Sequence, residues 1–250
     1  MKSLCRSIPV LILAGGRGTR LLSVVSDRPK ALATIDSRPF LEIQLELLRG
    51  HGFQTFVLCV GYRADQIRAT LGNGARLGIQ IEYSEEGEQL LGTAGAIRLA
   101  SRYVLNRALV LNGDTFLNTD YGAVIKEHQD RVDAEQISAT LSLCQRPDVE
   151  RFGTVILDTN QKRVRGFREK SAVRGVDQNW LNGGAYIFER PLLELIPENT
   201  PYSLEYDWLP LALRLGHKIA GHCCLEPFYD IGTPEEYRQF ASLYGARRVA

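Results

Sequence analysis

Three glycines and two arginines crowd the stretch Leu13-Ala14-Gly15-Gly16-Arg17-Gly18-Thr19-Arg20-Leu21, directly after the apolar run Val10-Leu11-Ile12. Glycine lets a backbone approach a ligand closely and aim successive N–H groups at one anion, while arginine offers a planar fork to phosphate oxygens. The pattern suits a triphosphate cradle. It is not the dinucleotide fingerprint, because Gly16-x-Gly18 would need a further glycine where Leu21 stands, and no Gly-Lys-Ser/Thr closes it as a P-loop. The bland alternative is a tight surface turn with incidental arginines. Pro29-Lys30 follows a short polar loop. Proline holds Arg28 out of helical geometry, so Lys30 is expected on an extended edge near the glycine turn, its ammonium a compact charge for a phosphate.

Those residues need elements to hold them. Val10 to Leu13, Phe56 to Val60, Ile79 to Tyr83 and Ala108 to Leu111 read as strands, and Pro39 to Arg49, Ala64 to Leu71 and Ala94 to Tyr103 as helices. Leu41, Leu45 and Leu48 share one helical face, with Pro39 suited to a first turn and Gly50 to the residue past the end. The alternation predicts an α/β fold: a Rossmann-like, mixed but mostly parallel central sheet flanked by helices. In the second half, Ile137 to Leu143, Gly153 to Leu157, Arg163 to Phe167 and Ala185 to Phe188 are strands with less helix between them. Antiparallel pairing and a smaller substrate-side subdomain are expected there. Ligands of open α/β sheets collect beyond the carboxyl ends of strands, where the glycine run after Leu13 and Asp114 of Asn112-Gly113-Asp114 both fall.

The G-G-x-G-T-R-L turn together with the Pro-Lys that follows resembles the sugar-1-phosphate nucleotidylyltransferases, and the likeness spans almost the whole chain. It implies one domain over residues 1–250, with about 1–135 binding nucleotide and about 136–250 binding sugar phosphate. It implies catalytic roles for Arg20, Lys30 and Asp114, and nucleotide contacts from Leu13, Ala14, Gly15, Gly16, Arg17, Gly18, Thr19, Asn112 and Gly113. Leu91-Gly92-Thr93-Ala94-Gly95-Ala96-Ile97 resembles the base-recognising loop, so Gly92, Thr93 and Ala94 join that set; a plain helix start capped by Thr93 reads the same letters without a ligand. Asp114 and Asp230, the latter in Tyr229-Asp230-Ile231-Gly232-Thr233, match the family's metal carboxylates. A turn-forming aspartate and a neighbour of a helix cap are their alternatives. Mg²⁺ takes one or two carboxylates plus phosphate oxygens, so the pair would suffice. Phe167-Arg168-Glu169-Lys170 and Asn182-Gly183-Gly184 resemble the sugar-phosphate segments, giving Glu169, Lys170, Asn182 and Gly183 that role. Ser203-Leu204-Glu205-Tyr206-Asp207 reads equally as sugar contacts or as a helix start.

The Gly-Thr-Ala-Gly form is similar to members handling mannose-type sugars and GTP, and the chain as a whole resembles the bacterial D-glycero-α-D-manno-heptose 1-phosphate guanylyltransferases of capsule and lipopolysaccharide synthesis. Mannose guanylyl- and glucose uridylyl-, thymidylyl- or cytidylyltransferases share the same anchors, and a non-catalytic nucleotide-sugar sensor is the alternative of another class. Composition narrows the partners. The 250 residues carry Lys+Arg 30 against Asp+Glu 29, a net charge of +1, which gives no bulk attraction to nucleic acid or an anionic membrane. No stretch reaches the ~18 apolar residues of a spanning helix. Five cysteines without a C-x-x-C suggest a reducing, cytoplasmic home. Expected partners are thus an NTP, GTP foremost, a sugar 1-phosphate, and at most a second copy of the chain.

Overall fold

The computed structural model describes residues 2–146, 154–168 and 180–249, with side chains as far as 245. After α1 (Lys2–Arg6), strand β1 (Val10–Leu13) leads into the glycine turn, and the short hairpin β2 (Thr34–Ile35) and β3 (Arg38–Pro39) precedes α2 (Phe40–His51). Leu41, Leu45 and Leu48 are fully buried along α2, as their spacing requires. The helix stops at Gly52, whose φ of 106° no side chain adopts comfortably, rather than at the expected Gly50. The β-α rhythm continues through β4 (Thr55–Val60), α3 (Ala64–Leu71), β5 (Gln80–Glu85), α4 (Gly92–Ala100) and β6 (Arg107–Asn112).

Beyond them come β7 (Thr115–Leu117), α5 (Tyr121–Glu135), β8 (Ala139–Cys144), β9 (Thr154–Asp158), β10 (Arg163–Arg168), β11 (Trp180–Glu189) and α6 (Arg190–Glu194). The chain ends with α7 (Leu209–Arg214), β12 (Ile219–Cys223), β13 (Phe228–Asp230) and α8 (Pro234–Val249). Among the described residues, nine strands form one sheet in the order β5-β4-β1-β6-β11-β8-β12-β10-β9. Its first four strands are mutually parallel, but β11 runs antiparallel to both β6 and β8, and β10 to both β12 and β9. With β12 parallel to β8, the sheet is mixed, and β11 and β10 are its two reversed strands. Its antiparallel strands continue the same sheet, because β11 hydrogen-bonds directly to β6.

Alternate side chains of the central strands feed opposite faces. Val10 and Ile12 pack with Leu41, Leu45, Phe56, Leu58 and Tyr121, whereas Leu11 packs with Val57, Ile97, Val110, Tyr186 and Trp208. A third cluster of Leu21, Ile35, Phe40, Phe116, Ile231 and Phe240 anchors the glycine turn, the β2–β3 hairpin and α8 to β7 and β13. That cluster fixes two remote loops, one carrying Arg20 and the other Asp230, against the same strand tips. No described helix is long and apolar enough to cross a membrane.

Candidate active site

The carboxyl ends of β1, β4 and β6 are laced by backbone hydrogen bonds: Ala14 N–H to the Cys59 carbonyl at 2.8 Å, Gly113 N–H to Leu13 at 3.0 Å, and Tyr62 N–H to Gly15 at 3.0 Å. They floor a cleft of about 250 Å³ lined by residues that include Leu13, Ala14, Gly15, Gly16, Gly18, Lys30, Gly92, Thr93, Asn112, Gly113 and Asp114. Two glycines are required by close approach. A Cβ on Gly113 would stand 2.5 Å from the Leu13 carbonyl oxygen, and one on Gly18, already at φ +61°, would stand 2.8 Å from the Cβ of Lys30. The glycine turn and Lys30 are thereby pressed together. Lys30 opens a 3₁₀ turn (Lys30–Leu32) after an extended Pro29, rather than lying on an extended edge.

Lys30 Nζ forms an ion pair with Asp114 Oδ2. Asp230, at the end of β13, pairs in register with Thr115 of β7, and the Ile231 N–H donates to the Asp114 carbonyl at 2.9 Å. The two aspartates, remote in sequence, thus lie side by side, Asp114 in the turn before β7 and Asp230 at the end of β13. Burial pushes the Asp230 carboxyl up to about 6, and the nearby Asp114 charge adds to the rise while Lys30 opposes it. Asp230 Oδ1 accepts the Gly232 N–H at 2.6 Å, and a Cβ on Gly232 would lie 3.3 Å from Arg20 Nη2. Arg20, Lys30, Asp114 and Asp230 converge on one place. Arg17, Thr19 and Arg20 are exposed at the rim. Ala94 is wholly buried with its N–H donated to the Tyr202 carbonyl, so it stands behind the cleft wall.

Thr93 lies inside the first turn of α4 and does not cap it; its Oγ1 accepts the Leu204 N–H at 2.7 Å and lies 3.4 Å from Glu205. Glu205 also accepts the Tyr186 hydroxyl at 3.1 Å, and that hydroxyl takes a 2.7 Å hydrogen bond from Asn182 Nδ2. Burial raises the Glu205 carboxyl pKa, with Asp114 a minor further cause. The segment that reads equally as sugar contacts or a helix start is a π-turn (Leu204–Trp208) that brings Glu205 to the Tyr186 hydroxyl, which Asn182 also touches. Gly183 is buried against Cys144 Sγ and the Ser142 carbonyl, so it shapes the strand beneath Asn182. Glu169 and Lys170 lie outside the described residues.

Sequence reading missed Gln44, a buried side chain of α2 whose Nε2 donates to the carbonyls of Asn112 at 2.9 Å and Thr115 at 2.8 Å. It staples both sides of the turn that presents Asp114. Sequence reading also missed Glu86, a buried carboxylate lining the cleft. Among the described residues no group of three or more His, Cys, Asp or Glu gathers as a metal cage. Two carboxylates side by side, one raised in pKa by burial and then by the other's charge, nevertheless make an oxygen pair suited to a hard divalent cation that also takes ligand phosphates and water.

The chain is similar to known proteins over nearly its whole length. Residues 9–246 match the nucleotidyl transferase family. The chain is 36% identical over 232 residues to a D-glycero-alpha-D-manno-heptose 1-phosphate guanylyltransferase of Campylobacter jejuni, covering 92% of this chain and 97% of that one. It is likewise 36% identical to the enzyme of the same name from Aneurinibacillus thermoaerophilus, over 92% and 95% of the two chains. The crystal structure of HddC from Yersinia pseudotuberculosis complexed with GMP-PN superposes with a TM-score of 0.80 at 30% identity, covering 95% of this chain and 99% of HddC. The chain belongs to the nucleotidyl transferase family, as one of its sugar-1-phosphate nucleotidylyltransferases.

Proposed function

We propose that the enzyme transfers a guanylyl group from GTP to D-glycero-α-D-manno-heptose 1-phosphate, releasing pyrophosphate and forming a GDP-heptose for surface polysaccharide in the cytoplasm. Near-complete coverage of relatives bearing that activity supports the substrates. The observation that carries the chemistry is the convergence of Arg20, Lys30, Asp114 and Asp230 beyond the tips of β1 and β6. An oxygen of the sugar phosphate attacks the α-phosphorus, the bond to the bridging oxygen of the β-phosphate breaks, and pyrophosphate leaves with that electron pair. No protein nucleophile is required.

The obstacle is charge. Like charges ~4 Å apart cost on the order of 4 kcal/mol per pair at an effective dielectric of 20. Backbone N–H groups of the glycine turn, the exposed guanidinium of Arg20 and the Lys30 ammonium hold the triphosphate, so catalysis is alignment plus charge stabilisation. Asp114 and Asp230 would hold Mg²⁺, which when bound neutralises phosphate oxygens. On the nucleotide side (about 1–135) Asn112 and Gly113 complete the floor. On the sugar side (about 136–250) Asn182 and Glu205 face sugar hydroxyls, while Glu169 and Lys170 take the acceptor's hydroxyl and phosphate. The test is a matrix of four nucleoside triphosphates against heptose, mannose and glucose 1-phosphates, read by pyrophosphate release with Mg²⁺. GTP with the heptose phosphate is expected to give the highest kcat/KM. Ligand binding without pyrophosphate release would instead identify a sensor.

A further inference from the structure

The two arginines of the glycine turn sit on a long loop, and that loop has to be held. Its middle is fixed where Leu21 and Val25 bury in the third apolar cluster. Ser26, Asp27 and Arg28 are exposed, so burial does not hold the far end. One dipeptide between β4 and α3 grips both ends instead. The Tyr62 N–H donates to the Gly15 carbonyl at 3.0 Å, and Arg63 Nη1 donates to the Ser26 carbonyl, also at 3.0 Å. Gln66, in the first turn of α3, adds a 3.3 Å hydrogen bond from Nε2 to the Asp27 carbonyl. Residues 15–26 are thereby closed into a ring that carries both Arg17 and Arg20.

Arg63 is set up for this contact at some expense. Its φ is +55°, a left-handed conformation that a long side chain adopts only where its surroundings impose it, and such strained residues gather at ligand clamps. Its guanidinium lies over the Tyr62 ring, 5.2 Å from the centroid. The loop's own carboxylate, Asp27, is taken by Arg28 at 2.6 Å, so the Arg63 charge goes to a neutral main-chain carbonyl. A charge-assisted hydrogen bond of that kind fixes the loop without bringing a further anion toward the cradle. Resting on the reading of this cleft as the triphosphate site, we propose that Arg63 is a positioning residue, which through Ser26 holds the loop so that Arg17 and Arg20 stay aimed at the triphosphate. It touches no reacting atom. Without it, the Tyr62 tie and the buried Leu21 keep the fold, while the far end of the loop comes free and the two arginines lose their aim.

Arg63→Met tests the assignment, because it leaves an apolar stem on Tyr62 and removes the donor. We expect kcat/KM for GTP to fall on the order of 10- to 100-fold, the loss that a displacement of about 1 Å in a positioned group brings. KM for D-glycero-α-D-manno-heptose 1-phosphate should stay unchanged. Amide hydrogen exchange in the ligand-free variant should quicken over residues 19–27 and not in the sheet. Arg63→Gly removes the same side chain together with its backbone strain, so it should share the kinetic loss and melt within about 3 °C of the wild type. In an Arg20→Ala background, Arg63→Met should cost less than about threefold, since the group it positions is gone. An undiminished loss there would mean that Arg63 meets the phosphates itself, and would overturn the assignment. So would a large drop in melting temperature in both variants, which marks a merely structural residue, or an unaltered kcat/KM for GTP in Arg63→Met beside normal wild-type turnover. A wild-type enzyme that releases no pyrophosphate from GTP would instead overturn the reading of the cleft, and the proposal with it.

Discussion

Arg20 is exposed and engages no carboxylate among the described residues, yet its guanidinium reaches Gly232 beside Asp230. Since it makes no hydrogen bond or ion pair among the described residues, Arg20→Ala should change stability by no more than about 0.5 kcal/mol. Its kcat should fall on the order of 10³-fold, as for other arginines that clamp transferring phosphates. Steady-state kinetics beside a urea melt check both halves, and an unimpaired rate removes the residue from the mechanism. Asp230 predicts the opposite trade. Burial and the Asp114 charge both oppose its ionisation, so Asp230→Asn, which keeps the acceptor for the Gly232 N–H, should raise the melting temperature by a few °C at pH 7.5 and abolish turnover. A lower melting temperature would mean the Lys30 attraction dominates. The motif residues were legible because glycines, arginines and aspartates have few reasons to cluster. Glu85 and Glu86 are the counter-example: identical neighbours in sequence, one salt-bridged in solvent and the other buried in the cleft. Only the end of β5 separates them.

Among elements, periodicity found the parallel strands β1, β4, β5 and β6 and the helices between them, because buried β-branched runs and one-sided leucine spacing are local signals, but it missed β12, which pairs parallel with β8. It did not find where the antiparallel strands go. The pairing of β11 with β6 joins Ala185 to Leu111, and that of β13 with β7 joins Asp230 to Thr115, contacts that no window of sequence contains. Lys30 was misplaced on an edge for a similar reason: Pro29 restrains the residue before it, and packing of Ala31 and Leu32 into the core winds the next turn. One tie between elements is testable by pH. His222 of β12 meets Glu127 of α5 at 2.6 Å. The His222 bond draws the Glu127 carboxyl down to about 2, and although burial works against the imidazolium, Glu127 holds the His222 pKa above its ordinary 6.5. The depressed carboxyl contributes stability above its ordinary 4.5 and loses it as pH falls toward 2; the raised histidine contributes below 6.5 and loses it as pH climbs past its raised value. His222→Gln should therefore cost about 0.5–1 kcal/mol at pH 5.5 and less at pH 8.5. Urea unfolding at the two pH values, repeated on Glu127→Gln, decides it.

For the molecule as a whole, stability and chemistry occupy different places. The apolar mass lies on the two faces of the nine-stranded sheet, whereas the charged groups sit at the strand tips, where Asp114 already has Lys30 as a counter-ion. A structural metal site behaves otherwise, since its ligands have no other compensation and the fold collapses with the metal. Treating the enzyme with EDTA should therefore abolish pyrophosphate release, with Mg²⁺ restoring it, while the melting temperature of the ligand-free protein shifts by no more than about 1 °C, well inside the ~2–4 °C that 1 kcal/mol makes in a domain of this size. Stabilisation by GTP should in turn grow with added Mg²⁺, because a cation that completes the phosphate site raises affinity for the folded state alone. Calorimetric scans with and without EDTA, GTP and Mg²⁺ separate the two contributions. A large EDTA-induced drop in the ligand-free protein would show that the aspartate pair holds the fold together, and the division between sheet and strand tips would be wrong.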